Sequence, residues 1–507
     1  MSEELYHAVR DGDLRRVTVL IEEGADVRYQ REAGYDVLID AAYGNDVLQN
    51  PELIEILRLL IGKGAPLRGT TTYGESAIRV FSRIGRFDAV RMLLEAGANP
   101  DDVNLTPMIE AVAFGTLTDV AAALEKGLHI RERDYWERTP WLIAIQMGDV
   151  EKAKLLLEHG ADMEARGRCG EPSLLYAIEN GHIPMVGWLI EIGVDVEQTD
   201  DFGTTALRTA VEYGNEKIVD ILLNAGAEVD RQSKTGTALE YANTRNIALK
   251  LMEAGADPQH LSHQGRRAIL GFDPEPDKEL LKAAWIEFEL HRSRCFGTRN
   301  PERMNNPFWE GMIRSGIDAH QAGRMFWVDS EREASHTPIW CAQRFGQSIT
   351  LLPDRRTVLV GGEHEDFYDP NFCIYNDVFV CSLDGSIEIY GYPETVFPPT
   401  DFHTATLIEN FVYLIGSLGY LGRRLYQETP VYRLDITSFE IERVETSGTK
   451  PGWISQHRAD LIGPKEIRVS GGNVVSLAGG DEVKTQNAQA FILDVERRMW
   501  RIESDAA

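Results

Sequence analysis

Long hydrophobic runs are missing from this chain. Nowhere do 18 apolar residues stand in succession, so a membrane-spanning helix is not expected. Cysteine is scarce. Cys169, Cys295, Cys341, Cys373 and Cys381 form no Cys-x-x-Cys pair, which removes the usual structural zinc spacing and suits a reducing compartment. Positive charge is in deficit, with 52 Lys+Arg against 80 Asp+Glu and a formal charge of −28. A surface of that sign repels phosphate backbones and anionic lipid, so neither nucleic acid nor membrane is the expected partner. A basic protein partner fits it, as does a plain acidic surface that keeps the chain dispersed. Residues 1–270 hold 44 acids and 28 bases and residues 271–507 hold 36 and 24, so the charge belongs to the whole surface. Catalytic signatures are absent too: no Gly-x-Ser-x-Gly elbow, no His-Glu-x-x-His and no Gly-Lys-Ser/Thr phosphate loop. The first residues, Met1 to His7, are acidic without an apolar run, so no signal peptide is read and a cytoplasmic location is expected.

What the chain does have is 507 residues, 43% of them apolar and 26% charged. That is globular, and long enough for three or four ordinary domains or for a repeat array plus one more. Self-comparison favours the array. Leu-Leu-like pairs precede Gly24, Gly64, Gly97, Gly127, Gly160, Gly193, Gly226 and Gly255, at spacings of 40, 33, 30, 33, 33, 33 and 29. Each unit reads as turn, helix, turn, helix. Ala206, Leu207 and Ala210 share one helical face, and Ile218, Val219, Leu222 and Leu223 another. Gly226 fits a left-handed cap.

This period and signature resemble ankyrin repeats over residues 1–260. Thr106-Pro107-Met108 and Thr139-Pro140-Trp141 stand where the family has Thr-Pro-Leu. The resemblance implies an α-solenoid of about eight units, caps included, placed at 1–270, that binds proteins through its concave face and hairpin tips. Two departures stand out. The His that follows Thr-Pro-Leu in the family is absent in every unit, which puts its inter-repeat bonds in doubt. The 40-residue spacing implies an insertion around Asn45–Pro51. At the hairpin tips stand Tyr73, Trp136 and Phe202, with Cys169 and Thr235 at related positions. The aromatic tips, with Arg133, Tyr135 and Arg138 beside Trp136, are candidate partner anchors; the alternative is that each ring packs on its neighbouring hairpin.

Residues 271–335 match no repeat and read as a connector packed between modules. Asp277 would cap a helix running to His291, with Trp285 and Phe288 sealing the last repeat. Further short helices are expected over Phe308–Ile313 and Asp318–Arg324.

From about Ile339 the apolar period becomes 2. Gln347, His403 and His457 open three similar segments, each followed by a strand and a glycine pair or its variant: Gly361-Gly362, Gly416-Ser417 and Gly471-Gly472. Later strands follow at Asp377–Val380, Tyr432–Asp435 and Phe491–Asp494, the last with Trp500. This resembles kelch repeats, which implies β-propeller blades over 336–507, with the glycines where blades crowd. Three blades cannot close a ring. Met325–Asp329 with Pro338–Ala342 could supply a degenerate fourth. Two chains could pair as a homodimer through the β domain, or the connector and repeats could cover the edges.

The densest acidic cluster is Glu363-His364-Glu365-Asp366. A solvated loop explains it, and a metal site is the alternative. Some kelch propellers are copper oxidases, but no copper motif maps onto this chain, so no cofactor is expected. The fold class is therefore an α-solenoid followed by an all-β domain. The expected function is a non-catalytic protein–protein interaction scaffold or adaptor. The alternatives are a propeller-type hydrolase, lyase or oxidase, with Glu363, His364, Glu365, Asp366, Arg423 and His457 the first residues to test, and an acidic antagonist of a basic effector or toxin.

Overall fold

The computed structural model describes residues 2–234, 236–273, 275–281, 285–326, 338–364 and 372–503. The chain divides into two compact units, Met1–Ala238 and Leu239–Ala507.

The first unit is a run of helix pairs. They are Ser2–Arg10 with Leu14–Glu22, Val37–Ala42 with Leu53–Gly62, Ala77–Arg83 with Phe87–Ala96, and Pro107–Phe114 with Leu117–Glu125. Pro140–Gln146 with Val150–Glu158, Ser173–Glu179 with Ile183–Glu191, and Ala206–Glu212 with Glu216–Asn224 complete the run. Local chemistry sets the boundaries. The hydroxyls of Thr106, Thr139 and Thr205 accept from backbone N–H groups three residues on, and Pro107 and Pro140 occupy first-turn positions whose N–H would be orphaned anyway. Asp13, Asp149 and Asn215 cap second helices in the same way. Gly226 has φ +86 with open space around it, so its conformation alone calls for glycine there. Helices of six to ten residues are marginal in isolation. Burial between neighbours stabilises them: Ala206, Leu207, Ala210, Ile218, Val219 and Leu222 are all buried.

Other bonds link the repeats in place of the missing His. Tip backbones join across neighbouring hairpins: Thr72 N–H donates to Ala33 O (2.8 Å), Arg168 N–H to Trp136 O (2.9 Å) and Asp201 N–H to Cys169 O (2.9 Å). Arginines reach one repeat ahead, Arg133 to Arg166 O (2.7 Å) and Arg166 to Thr199 O (2.6 Å).

In the second unit, helices Arg245–Glu253, His263–Leu270, Trp285–His291, Pro307–Ser315 and Ala319–Phe326 precede the sheets. Asp277 caps only a short turn, Lys278–Leu280, and not a helix through His291; Ala284, expected on that helix, lies outside the described residues. Phe288 is buried against Phe308 and Phe326, while Trp285 is 49% exposed.

Three sheets of the same design follow. The first runs Ser348–Leu351, Thr357–Val360, Val378–Cys381 and Ile387–Gly391, with Glu302–Arg303 of the connector added at its outer edge. The second runs Thr404–Ile408, Phe411–Ile415, Val431–Asp435 and Ile441–Arg443. The third runs Arg458–Gly463, Glu466–Ser470, Phe491–Asp494 and Met499–Ile502, with Ser447–Gly448 parallel to its last strand. Each four-stranded set is antiparallel with strands in chain order, and none of the sheets is closed. One apolar core joins the first and second sheets around Val358, Val378, Val412 and Leu434. Another joins the second and third around Ile415, Ile454, Val469 and Trp500. The glycine pairs lie where these sheets crowd. A Cβ on Gly361 would stand 2.2 Å from Thr400 O, and one on Gly472 2.5 Å from Ser455 O.

The described part of the expected fourth blade is not a sheet. Met325 and Phe326 continue a helix, because Phe326 stacks on Phe288 at 4.5 Å. Ile339 makes only an isolated bridge to Ser293, and Trp340 stacks on Trp309 at 4.9 Å. Residues 327–329 lie outside the described residues.

Candidate partner-binding groove

The tip residues have different environments. Tyr73 is 77% exposed and Phe202 56%. Trp136 is half-buried: its indole N–H donates to Arg79 O at 3.0 Å, and the Arg168 guanidinium lies 4.9 Å from its ring centre. Tyr135, also half-buried, is covered by Arg79 and Arg168 at 4.5 and 4.8 Å. Packing on the neighbouring hairpins therefore occupies this pair. Arg133 is exposed and serves as an inter-repeat tie. Arg138 is not at an accessible tip; it is fully buried, paired with Asp134 and hydrogen-bonded to Ser82 O (2.6 Å) and Ser82 Oγ (2.8 Å). Its hydrogen bonds are directed inward because its guanidinium bridges two repeats. Thr235 lies outside the described residues.

Trp136, Arg138, Cys169 and Phe202 come together on one groove of about 660 Å³; Tyr73, Arg133 and Tyr135 do not line it. The remaining walls include Leu48, from the insertion expected around Asn45–Pro51, and Glu171, Tyr176, Glu179, Asp200, Arg208, Glu212 and Tyr213. A second groove of about 640 Å³, lined in part by Arg86, Arg91 and His182, shares Leu48, Gln146 and Asn180 with it. The insertion thus walls both.

Two acids give the first groove its character. Burial, reinforced by the charge of Glu179, pushes the Glu171 carboxyl up to about 8. Burial, then the charges of Asp200 and Glu212, push Glu179 up to about 7. The Tyr176 hydroxyl and the Arg138 charge oppose the rise at Glu171 without cancelling it, so the two acids titrate near neutrality. Neither forms an ion pair among the described residues, and Glu171 Oε1 is sealed from solvent without a hydrogen-bond partner. Sequence reasoning missed this pair. A signal was present: Gln146, Glu179 and Glu212 stand 33 apart, each ending a first helix, a column visible once the repeats are set in register.

The β-domain candidates lie elsewhere. Glu363 and His364 are buried in a two-residue strand beside Cys373–Ile374, while Glu365 and Asp366 lie outside the described residues. His457 Nε2 is 2.8 Å from Thr404 Oγ1, and His403 Nε2 is 2.8 Å from Ser348 Oγ, so each His ties one sheet to the one before. Burial pulls both imidazoles down to about 3, the His403 ring adding to the effect on His457. Arg423 is exposed and pairs with Glu394; Arg424 pairs with Glu482. Among the described residues, no three His, Cys, Asp or Glu side chains are grouped so as to hold a metal ion, and no helix is long and apolar enough to cross a membrane.

Family profiles agree with the helical architecture over residues 142–261. Family profiles described as ankyrin repeats match residues 174–261 (three copies) and 142–190 (many copies). The chain is similar to an ankyrin repeat protein of Acanthamoeba polyphaga mimivirus, 33% identical over 99 residues. That match takes in 19% of this chain and 59% of the relative, so the chain spans less than two thirds of its length. Among solved structures it is similar to the ankyrin repeat domain of human ASB11, at 21% identity and a TM-score of 0.24, covering 50% of this chain and 98% of that one. The helical region carries ankyrin repeats, followed by a β-rich region of several open sheets.

Proposed function

We propose that the chain is a non-catalytic interaction scaffold whose first unit takes a protein partner in the groove beside Trp136 and Phe202. The observation that carries this reading is the pair of rings left open at the groove: Phe202 and Tyr213 are 56% and 55% exposed, on a rigid helical frame. Large aromatics held this way cost little entropy on binding and are typical anchors. Tyr73 adds a separate exposed ring on the same line of hairpin tips. The net charge of −28 favours a basic partner, which fits both an adaptor and an antagonist of a basic effector. The three sheets support a second, kelch-like module of incomplete propeller type, because their strand order, inner histidines and crowded glycines repeat together. The test is a photo-crosslinking amino acid at position 202, with the same label at outer-helix position Val19 as control. A partner crosslinked from 202 and not from 19, and weakened at least about tenfold by Phe202→Ala, supports the reading. Equal labelling from both positions refutes it.

A further inference from the structure

We infer that the third sheet carries an open docking joint for an extended segment of a protein partner, one in which glycine or asparagine is followed directly by an acidic residue. The joint belongs to the β-rich region and stands apart from the groove of the first unit. The two joints inside that region supply its template, because they repeat bond for bond. Between the first and second sheets, Phe402 N–H donates to Gly346 O (2.8 Å), Gly362 N–H to Thr400 O (2.8 Å), and Ser348 Oγ lies 2.8 Å from His403 Nε2. Between the second and third, Gln456 N–H donates to Phe402 O (2.9 Å), Ser417 N–H to Ile454 O (2.9 Å), and Thr404 Oγ1 lies 2.8 Å from His457 Nε2. Each arriving segment therefore offers a carbonyl, an N–H two residues on, and a side chain at the residue after that. The residue giving the N–H is left-handed both times, with φ +46 at Phe402 and +55 at Gln456. Each receiving sheet clears the way with a glycine: a Cβ on Gly361 would stand 2.2 Å from Thr400 O, and one on Gly416 2.4 Å from Ile454 O.

The third sheet holds the same receiving groups. Gln456 O stands where Gly346 O and Phe402 O accept, and Gly472 N–H where Gly362 and Ser417 donate; neither has a backbone partner among the described residues. Gly471 stands where Gly361 and Gly416 are approached, and a Cβ there meets nothing within 4 Å. One group differs. Arg458 replaces the hydroxyls of Ser348 and Thr404; its side chain is 75% exposed and pairs with Asp460 on the same strand. Lys484 is close by, its Nζ 3.2 Å from Gln456 Oε1.

These groups define the occupant. Exposed backbone donors and acceptors of a sheet pair with an extended chain, main-chain bonds giving affinity and side chains specificity. The left-handed position calls for glycine or asparagine. The next residue meets a guanidinium instead of a hydroxyl, so Asp or Glu fits there in place of His. A second copy does not meet these terms. It would bring Arg344, Gly346 and Gln347 of its first sheet to the joint, but Arg344 O already accepts from Arg266 at 2.6 Å, and Gln347 has no charge for Arg458. A short segment held at these points leaves the rest of the sheet's charged side in water.

The experiment is fluorescence anisotropy of the full chain with fluorescein-Ser-Val-Thr-Gly-Glu-Val-Thr-Ser-amide. The same peptide with Lys in place of Glu is expected to bind at least about tenfold more weakly. N-methylation of its glycine, which removes the N–H meant for Gln456 O, should cost at least about threefold. Gly471→Ala puts a Cβ in the path of the incoming carbonyl and should cost at least about tenfold. Should that variant melt abnormally, Arg458→Glu, on an exposed side chain, is expected to invert the preference, so that the Lys peptide binds more tightly than the Glu peptide. No binding at about 1 mM chain, equal affinity for the Glu and Lys peptides, or an unchanged preference in Arg458→Glu overturns the proposal. Sedimentation of the full chain checks the other occupant: self-association that Gly471→Ala abolishes would assign the joint to a second copy and overturn it as well.

Discussion

Arg138 offers the sharpest test of how the repeats are held together. Its side chain is fully buried, as is that of Asp134, and it joins the hairpin before Pro140–Gln146 to the helix Ala77–Arg83. Nε donates to Asp134 Oδ2 at 2.9 Å, the terminal nitrogens reach Ser82 O and Ser82 Oγ, and Gln146 Oε1 accepts as well. Asp134 also accepts from the backbone N–H groups of Trp136 (3.0 Å) and Arg138 (2.8 Å), so it cannot turn away to find water. Arg138→Ala strands that carboxylate and leaves Ser82 and Gln146 without their donor. Breaking a buried pair from one side costs about 3–5 kcal/mol. Arg138→Lys keeps the charge, but three donors on one atom cannot serve acceptors spread around a planar fork, so about 1–3 kcal/mol is still lost. Asp134→Asn with Arg138→Met removes both charges and should recover at least half of the single-variant loss. Repeat arrays unfold in parts, so a single melting temperature is a poor readout. Amide exchange over the helices Ala77–Arg83 and Pro140–Gln146 reports the local loss directly. A penalty below about 1 kcal/mol for Arg138→Ala, or a double variant no better than the single, would refute the reasoning.

Two further expectations concern glycines and pH. Gly471 and Gly472 both have positive φ, but a Cβ at 471 meets nothing within 4 Å, whereas one at 472 stands 2.5 Å from Ser455 O. Gly471→Ala should therefore cost only the backbone strain of about 1–2 kcal/mol, and Gly472→Ala about 1–3 kcal/mol more, read as a lower urea midpoint. The two units should respond to pH in opposite directions. In the first, folding raises Glu171 and Glu179 to about 8 and about 7, so the folded state holds protons that the unfolded chain has released. That stability is present at pH 4 and lost as pH rises through 7 to 8, and Glu179→Gln should flatten the slope. In the second, His403 and His457 are lowered to about 3, so the unfolded chain binds the extra protons, and stability falls as pH drops from about 6.5 toward 3. Exchange rates corrected for intrinsic pH dependence separate the two units.

The repeat period was legible because every unit meets the same geometric demand at Gly97, Gly160, Gly193 and Gly226, where a left-handed residue ends the second helix. Thr106 and Thr139 marked helix starts for an equally local reason. Tertiary partners were much less visible. Arg138 and Arg133 look alike in a charged, aromatic stretch, yet one is buried and the other exposed, because a residue's place on the hairpin is fixed by neighbours 33 and 56 positions away. The pairing of Glu171 with Glu179 joins a turn to the far end of the helix after it, and neither residue belongs to a motif. The helix expected from Asp277 failed for a local reason, since the cap serves only the turn Lys278–Leu280.

The blade count is the place where sequence and structure together say more than either. Three sheets leave two ends to cover, and the chain treats them differently. The first sheet is buried on both sides: one side joins the core with the second sheet, and on the other Phe379 meets Trp340, itself stacked on Trp309. The third sheet turns Val469, Phe491, Leu493 and Trp500 toward the second. The register puts Asp460, Arg468 and Arg501 on its other side, with Glu466 beside them. Ion pairs lace that side, Arg468 to Glu503 and Arg458 to Asp460 at 2.7 Å, and Arg501 to Glu466 at 2.9 Å. Such partly exposed pairs add little stability, about 0–1 kcal/mol each. Their effect is to make burial of that face against a second copy costly, since each charge would have to be desolvated. A polar outer face of this kind suits solvent better than a second copy, so pairing of two chains through this side of the third sheet is disfavoured.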